Sequence, residues 1–498
     1  MAPRTPLNRR KFLASTCLTL SGLGRRELGF GQVRRRPHPS GRRFIRVRGA
    51  VRSGTDALAG VSVSDGISVA RTDAGGEFEL IAGPGASHVF VSLPSGYRIP
   101  TRSNGTARLF RRLDTTGDEA VMQFELEPLQ ESDEQHGFFL LADPQTEDLD
   151  EMRMFREQTI PDLRGLSEGL GGELFGVACG DLMFDHLELF DDYEAAVRLA
   201  GMPFFQVVGN HDVDRSAWVD SAANRTFEHH FGPSYFSFDR GAVHYVVLDD
   251  VFWNGADYIG YLTDTQLGWL AADLAQVEAG RPVIVFLHIP VFNTGFRRAG
   301  ASSPSPRGVV ANREALYELL DPYRAHILSG HTHDNEHVFE GGVHEQVHGT
   351  VCGAWWTGPV CHDGTPRGYG VFTVRGEEIR WQYKSTGADL SEQIRLYGWG
   401  ADPAAPDEIV ANVWNWDPDW EISWFEDGEL KGRMARRTGL DPLAVELYHG
   451  DGLPAKRPWV NPQPTDHLFY APARRTAREI RVEAKDRFGV VYSAVMPG

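Results

Sequence analysis

The chain has 498 residues, 41% of them hydrophobic, and a formal net charge of −18. That length divides into two to four domains with enough apolar material for sizeable cores. The first fifty residues carry thirteen Arg or Lys against one acid, so the remainder stands at −30; a body this acidic argues against a nucleic-acid polyanion as partner, and an anionic substrate would require a local positive centre.

Residues 1–24 read as an export signal. Arg9-Arg10-Lys11-Phe12-Leu13 is a twin-arginine pattern, and the mildly apolar run Ala14 to Leu23 after it is too short to span a bilayer permanently. This places the protein in the periplasm or outside the cell; the alternative is a plain basic tail. Cys17 suggests lipidation, but Thr16 before it fits that poorly. No later apolar run reaches transmembrane length. Residues 25–44, rich in Arg, Pro and Gly, read as a linker.

Residues 45–130 change character. Ile45-Arg46-Val47-Arg48-Gly49, Ala59-Gly60-Val61-Ser62-Val63, Glu77-Phe78-Glu79-Leu80 and His88-Val89-Phe90-Val91 are short runs split by Gly/Asp turns, the pattern of a small β-sandwich. Through Gly60-Val61, Asp65-Gly66 and Thr72-Asp73 with Phe78, the stretch resembles transthyretin-like or carboxypeptidase-regulatory-like modules, a likeness of fold that implies no chemistry.

From residue 131 to 386 strand-length apolar runs alternate with helix-period segments, the signature of an α/β core. The runs are Phe138–Ala142, Leu174–Cys179, Phe204–Val208, Val243–Leu248, Val283–Leu287 and Ala325–Leu328. The helical segments are Leu187–Ala200, Thr265–Glu278 and Asn312–Tyr323, the last with Asn312 as N-cap. Five of the six runs lead into polar clusters: Asp143-Pro144-Gln145, Gly180-Asp181, Gly209-Asn210-His211-Asp212, His288, and Gly330-His331-Thr332-His333. Ligands of open α/β sheets collect beyond the carboxyl ends of strands, so the pattern predicts that these clusters converge.

Residues 387–498 read as a second β-rich domain closed by a hairpin, Ile480–Ala484 and Val490–Ala494. Trp414, Trp416, Trp420 and Trp424 read as its core rather than as a glycan or lipid platform. Of the cysteines beyond the leader, Cys179 reads as a buried inert thiol, while Cys352 and Cys361 could pair in an oxidising compartment.

Any one cluster alone is an ordinary turn or cap. Together they supply what phosphate-ester hydrolysis needs: a carboxylate able to bridge two cations, and N and O donors to complete both shells. The series resembles the calcineurin-like metallophosphoesterases, whose pattern is Asp-x-His, Gly-Asp, Gly-Asn-His-Asp/Glu, a lone His and Gly-His-x-His. The resemblance covers about 250 residues and implies a four-layer αββα sandwich; the flanking β-modules match a subgroup with an N-terminal sandwich and a dedicated C-terminal domain. Carried over by position, Asp143, Gln145, Asp181 and His333 would hold one metal. Asp181, Asn210, His288 and His331 would hold the other, and His211 would protonate the leaving oxygen while a metal-bridging hydroxide attacks in line. The two divalent ions would be drawn from Mn, Fe, Zn and Mg. Gln145 stands where the family usually has His, which makes that position harder and tilts it from Zn toward Mn, Fe or Mg.

Either Asp185 or Asp212 would raise the pKa of His211. Arg297, Arg298 and Arg307 lie in a loop after His288, and Arg298 is the candidate to grip phosphate; Tyr369 is a candidate pocket residue. The expected substrate is a small-molecule or envelope-derived phosphate ester. The competing reading is an exported glycan- or lipid-binding protein with an inactive core.

Overall fold

The computed structural model describes residues 44–450 and 453–498. The twin-arginine segment and all but the last residue of the linker lie outside the described residues.

The N-terminal region forms two four-stranded sheets. In one, Ile45–Ser53 pairs with Asp56–Ala57, Glu77–Ala82 and Glu119–Glu125; the other runs Val69–Arg71, Ser62–Ser64, His88–Val91, Phe110–Arg112. Glu77–Ala82 buries every second residue, as period-two alternation dictates for a strand with one wet face. Phe78, Leu80 and Ala82 join Val63, Val89 and Val91 in a core continuous with the central sheets. Phe90 meets Trp269 edge-on at 6.0 Å, and Tyr235 Oη donates to the carbonyl of Gly66.

Two mixed sheets make the centre. The first is ordered Phe204–Val207, Glu173–Cys179, Gln135–Leu141, Gly368–Arg375, Glu378–Ser385, its first three strands parallel. The second is ordered Phe236–Arg240, Val243–Val247, Pro282–Phe286, Arg324–Ser329, Val343–Val347, Glu336–Glu340. An aromatic seam joins them: Phe138 meets Phe286 at 5.6 Å and Tyr245 at 5.8 Å, and Phe175 meets Tyr245 at 5.4 Å. Successive side chains point to opposite faces, so Phe139 and Leu141 turn outward onto Phe155, Leu163 and Tyr193 of the flanking helices. On the far side His244 reaches Asp273 of helix Asp264–Leu274. The layers are therefore helices, sheet, sheet, helices.

The helical run from Leu149 to Ser167 contains a π-turn at Phe155–Thr159 and is capped by Asp148, which accepts from the amides of Asp150 and Glu151. Asn312 stands at the N-cap position of helix Arg313–Leu320 but does not cap it. Its carboxamide is consumed by Leu262, whose amide it accepts at 3.0 Å and whose carbonyl it donates to at 2.7 Å.

The C-terminal region forms two more four-stranded sheets. They share a core of Ile409, Ala411, Phe469, Ile480 and Val482. Glu479–Lys485 and Val491–Pro497 form the closing hairpin. Trp414 and Trp420 are buried, and Trp416 and Trp424 pack partly buried against the core. No helix among the described residues is long and apolar enough to cross a membrane. Cys179, Cys352 and Cys361 are all buried free thiols, so the pairing open to Cys352 and Cys361 is not made. Cys352 Sγ lies beside His333 Nδ1, and Cys361 Sγ accepts from the Thr350 amide at 3.4 Å, while Cys179 donates to the Leu287 carbonyl.

Candidate metal centre

All five clusters begin one or two residues past the end of a strand, and the two sheets bring them to one place. Glycines permit the approach. A Cβ on Gly180 would overlap the His288 ring, one on Gly209 would overlap Asp181, and one on Gly330 would overlap the Asp143 carboxylate. The donor residues themselves turn sharply: Asp143, Gln145, Asp181, His331 and His333 all have φ between 41° and 70°, the left-handed region that side chains rarely adopt.

Asp181 lies at the middle and is buried. Its Oδ1 accepts from the His211 amide at 2.9 Å and lies 3.2 Å from His288 Nε2. Its Oδ2 accepts from Gln145 Nε2 at 3.1 Å and lies 4.0 Å from His211 Nε2. Around His288 Nε2 are also Asn210 Oδ1 and His331 Nδ1, both at 3.2 Å. Donor atoms of Asp181, His288 and His331 lie within 4.8 Å of one another. On the other side, Asp143 Oδ2 accepts from the His331 amide, and Oδ1 lies 3.5 Å from His333 Nε2. Backbone carbonyls orient the rings: Cys179 at His288 Nδ1, Gly353 at His333 Nδ1 and Arg307 at His331 Nε2.

Burial and proximity polarise these groups. Burial pushes Asp143 up to about 8 despite the pull of His288. Burial acts upward on Asp181 too, but His288 and His211 hold it well below the usual carboxylate range. Burial opposes charge on His288, yet Asp181 lifts it to about 10. His331 and His333 fall to about 3, chiefly through burial. The result is an interior of carboxyl groups and imidazoles in which His331 and His333 are neutral, the side-chain types that a transition-metal site draws on.

His211 Nδ1 lies 2.6 Å from Asp185 Oδ1, and Arg215 Nη1 lies 2.9 Å from the other oxygen of Asp185. This decides between the two candidate carboxylates. Asp212 is buried and accepts from the amides of Leu182, Met183 and Gly209, which makes it a brace for the loops. Against the cost of burial, Asp181 and Asp185 raise His211 above the ordinary imidazole value. Sequence reading missed two further supports. Asp250 Oδ1 accepts from the amides of His288 and Ile289. Phe184 stacks on His211 at 4.5 Å.

The two substrate candidates are not brought into the centre. The Arg298 side chain is 6% exposed; its Nη1 lies 3.0 Å from Glu336, its Nη2 3.2 Å from Asp334, and its Nε donates to the carbonyl of Pro464. A guanidinium paired with two buried carboxylates has its charge spent on them rather than free to grip phosphate. Tyr369 is fully buried, packs edge-on against Phe139 and donates to Asp162 at 2.8 Å, which makes it core. The arginine of that loop that does reach the rim is Arg307. It lies half-exposed over Tyr258 at 4.8 Å, and Tyr258 meets His331 edge-on at 6.0 Å.

The family model for calcineurin-like phosphoesterases matches residues 137–335, that for the N-terminal region of calcineurin-like phosphoesterases matches 45–129, and that for their C-terminal region matches 345–492. The serine/threonine-protein phosphatase CPPED1 of Bos taurus is 29% identical over 230 residues, 44% of this chain and 69% of that one. The same protein of Homo sapiens is 28% identical over 234 residues, again 44% and 69%. Among solved structures, a dimetal phosphatase from Danio rerio is 17% identical, with a TM-score of 0.36 over 51% of this chain and 96% of that one. The chain belongs to the calcineurin-like phosphoesterases, hydrolases of phosphoric ester bonds, and carries the N- and C-terminal companion regions of that family.

Proposed function

We propose that the protein hydrolyses phosphate esters with a pair of divalent cations at this centre. Asp143, Gln145, Asp181 and His333 would hold one, and Asp181, Asn210, His288 and His331 the other. The observation that carries the proposal is Asp181: one carboxylate oxygen faces Gln145 and the other faces His288, so a single side chain addresses both donor sets.

The residues fit such ions. Asp143 Oδ1 is buried and has no hydrogen-bond partner, a costly state that a cation relieves. His288 Nε2 has three polar neighbours at 3.2 Å, and one proton cannot satisfy all of them. Gln145 needs a half-turn of its carboxamide to present Oε1 in place of Nε2 (the two are near-identical in shape). An amide oxygen in place of an imidazole favours Mn, Fe or Mg over Zn at that position. When bound, such a pair supplies positive charge for the phosphoryl oxygens and an activated water.

The chain's own groups do the rest. Asp185 fixes the proton on His211 Nδ1, so the proton on Nε2 faces the centre and serves the leaving oxygen. Phe184 stacks on one face of that imidazole and holds its orientation. The substrate is a small or envelope-derived phosphate ester met after export by the twin-arginine route, and the N-terminal sheets serve as a transthyretin-like module without chemistry. The complete donor set speaks against the inactive binding-protein reading.

The test is elemental analysis with activity. Purified protein should carry about two divalent ions per chain and hydrolyse para-nitrophenyl phosphate or its bis-ester with added Mn. Asp181→Asn should lose metal and turnover together. Equal inertness of wild type and variant on both esters would overturn the proposal.

A further inference from the structure

We propose that the C-terminal segment around Arg457 and Trp459 forms a leaving-group subsite, and that the substrate carries a flat aromatic or heteroaromatic group on the ester oxygen. The inference rests on the phosphoesterase reading and adds the substrate class.

The segment is pinned against the centre. Arg457 has a side chain only 3% exposed; its Nη1 donates to Glu151 at 2.7 Å and to the carbonyl of Trp355, and its Nη2 donates to Glu147 at 2.8 Å. Its guanidinium also lies 5.3 Å from the ring of Phe184, the residue stacked on His211. Lys456 adds ion pairs to Asp148, Glu151 and Glu147. One arginine therefore joins the aromatic over the acid group, Phe184, to the aromatic over a metal donor, Trp355.

Trp355 stacks on His333 with centroids 4.0 Å apart and planes 18° apart. Trp459 then meets Trp355 edge-on at 4.6 Å and stays 50% exposed. Trp269 and Trp414, by contrast, are fully buried. An indole held at the rim by its neighbours, with half its surface in water, gains most from a second flat ring laid against it. His211 hands its proton to the leaving oxygen, and the wall that begins with Phe184 on the His211 ring runs through Arg457 to Trp355 and Trp459. The group that departs, rather than the phosphoryl group, is what Trp459 would meet. An alkyl leaving group gains little from such a surface.

The experiment compares para-nitrophenyl phosphate with ethyl phosphate on the full chain loaded with Mn. Intrinsic reactivity differs between the two esters but cancels when each variant's ratio of kcat/KM is divided by that of wild type. Trp459→Ala should lower the aryl-to-alkyl ratio roughly fivefold to tenfold through KM for the aryl ester, and Trp459→Phe should restore most of it. Inhibition by phenylphosphonate should weaken by the same factor, while inhibition by methylphosphonate should not. A ratio unchanged in Trp459→Ala, with both esters still hydrolysed, overturns the subsite alone. A wild type inert on both esters overturns the phosphoesterase reading and the subsite with it.

Discussion

His244 tests the packing beneath the centre. It lies on strand Val243–Val247, and its neighbour Tyr245 points into the seam between the sheets while the imidazole points to helix Asp264–Leu274. Nδ1 lies 2.9 Å from Asp239 and Nε2 lies 3.0 Å from Asp273, with the ring 3% exposed. Both nitrogens face carboxylate oxygens, so the doubly protonated ring satisfies both. Burial opposes that charge, but Asp273 and then Asp239 outweigh it and lift His244 to about 9. The unfolded chain titrates near 6.5, and the gap is worth about 3 kcal/mol at 1.36 kcal/mol per pH unit.

The folded-state value is raised, so this contribution is complete below pH 6.5, declines as pH rises through about 9, and is gone above it. His244→Gln removes the titration. Urea unfolding followed by tryptophan fluorescence, at pH 6, 7.5, 9 and 10, gives the difference between wild type and variant at each pH. Lys and Tyr residues titrate at the alkaline end in both proteins and cancel in that difference. The gap should narrow by about 3 kcal/mol from pH 6 to pH 10. Parallel curves across that range would show that the buried ring is neutral and refute the reasoning.

Two further outcomes follow at the centre itself. Asp185→Asn should lower kcat roughly 100-fold or more and shift the alkaline limb of the pH–rate profile to lower pH, because His211 loses a partner that raises it; Asp212→Asn should instead reduce folded yield and metal content, since it braces three loop amides. Arg298→Ala should leave KM unchanged and destabilise the fold by about 3–5 kcal/mol, measured by denaturant titration, since Glu336 is left buried without its cation.

The strand ends and the donor list could be read from the chain because each depends on short range. A run such as Leu174–Cys179 announces a strand by its apolar side chains, and Gly180-Asp181 announces the turn beyond it. Which carboxylate serves His211 could not be read, because Asp185 and Asp212 both lie within a few dozen residues and only the folded loop sets one at 2.6 Å and turns the other to amides. Arg298 is a substrate candidate by its place in the loop after His288, and Tyr369 by the resemblance of its loop to one near the site in the family subgroup. Their partners, Glu336, Asp334 and Asp162, come from other elements and outcompete phosphate for them. Arg457 and Trp459 gave no local signal, since more than a hundred residues separate them from Trp355 and His333.

The left-handed turns explain why the centre must be built as a unit. A non-glycine residue in that region costs about 1–3 kcal/mol, and five donors adopt it. Bonds cross from loop to loop: the amide of Gln145 donates to the carbonyl of Asp181, the amide of His211 to the carboxylate of Asp181, and the amide of His331 to the carboxylate of Asp143. The same carboxylates that would face the cations thus brace the backbone that places the remaining donors. Loss of the Asp181 side chain removes a donor and also the restraint on the His211 amide, so the damage exceeds one missing ligand. The glycines at 180, 209 and 330 belong to the same construction, because the loops can brace one another only where no Cβ intervenes.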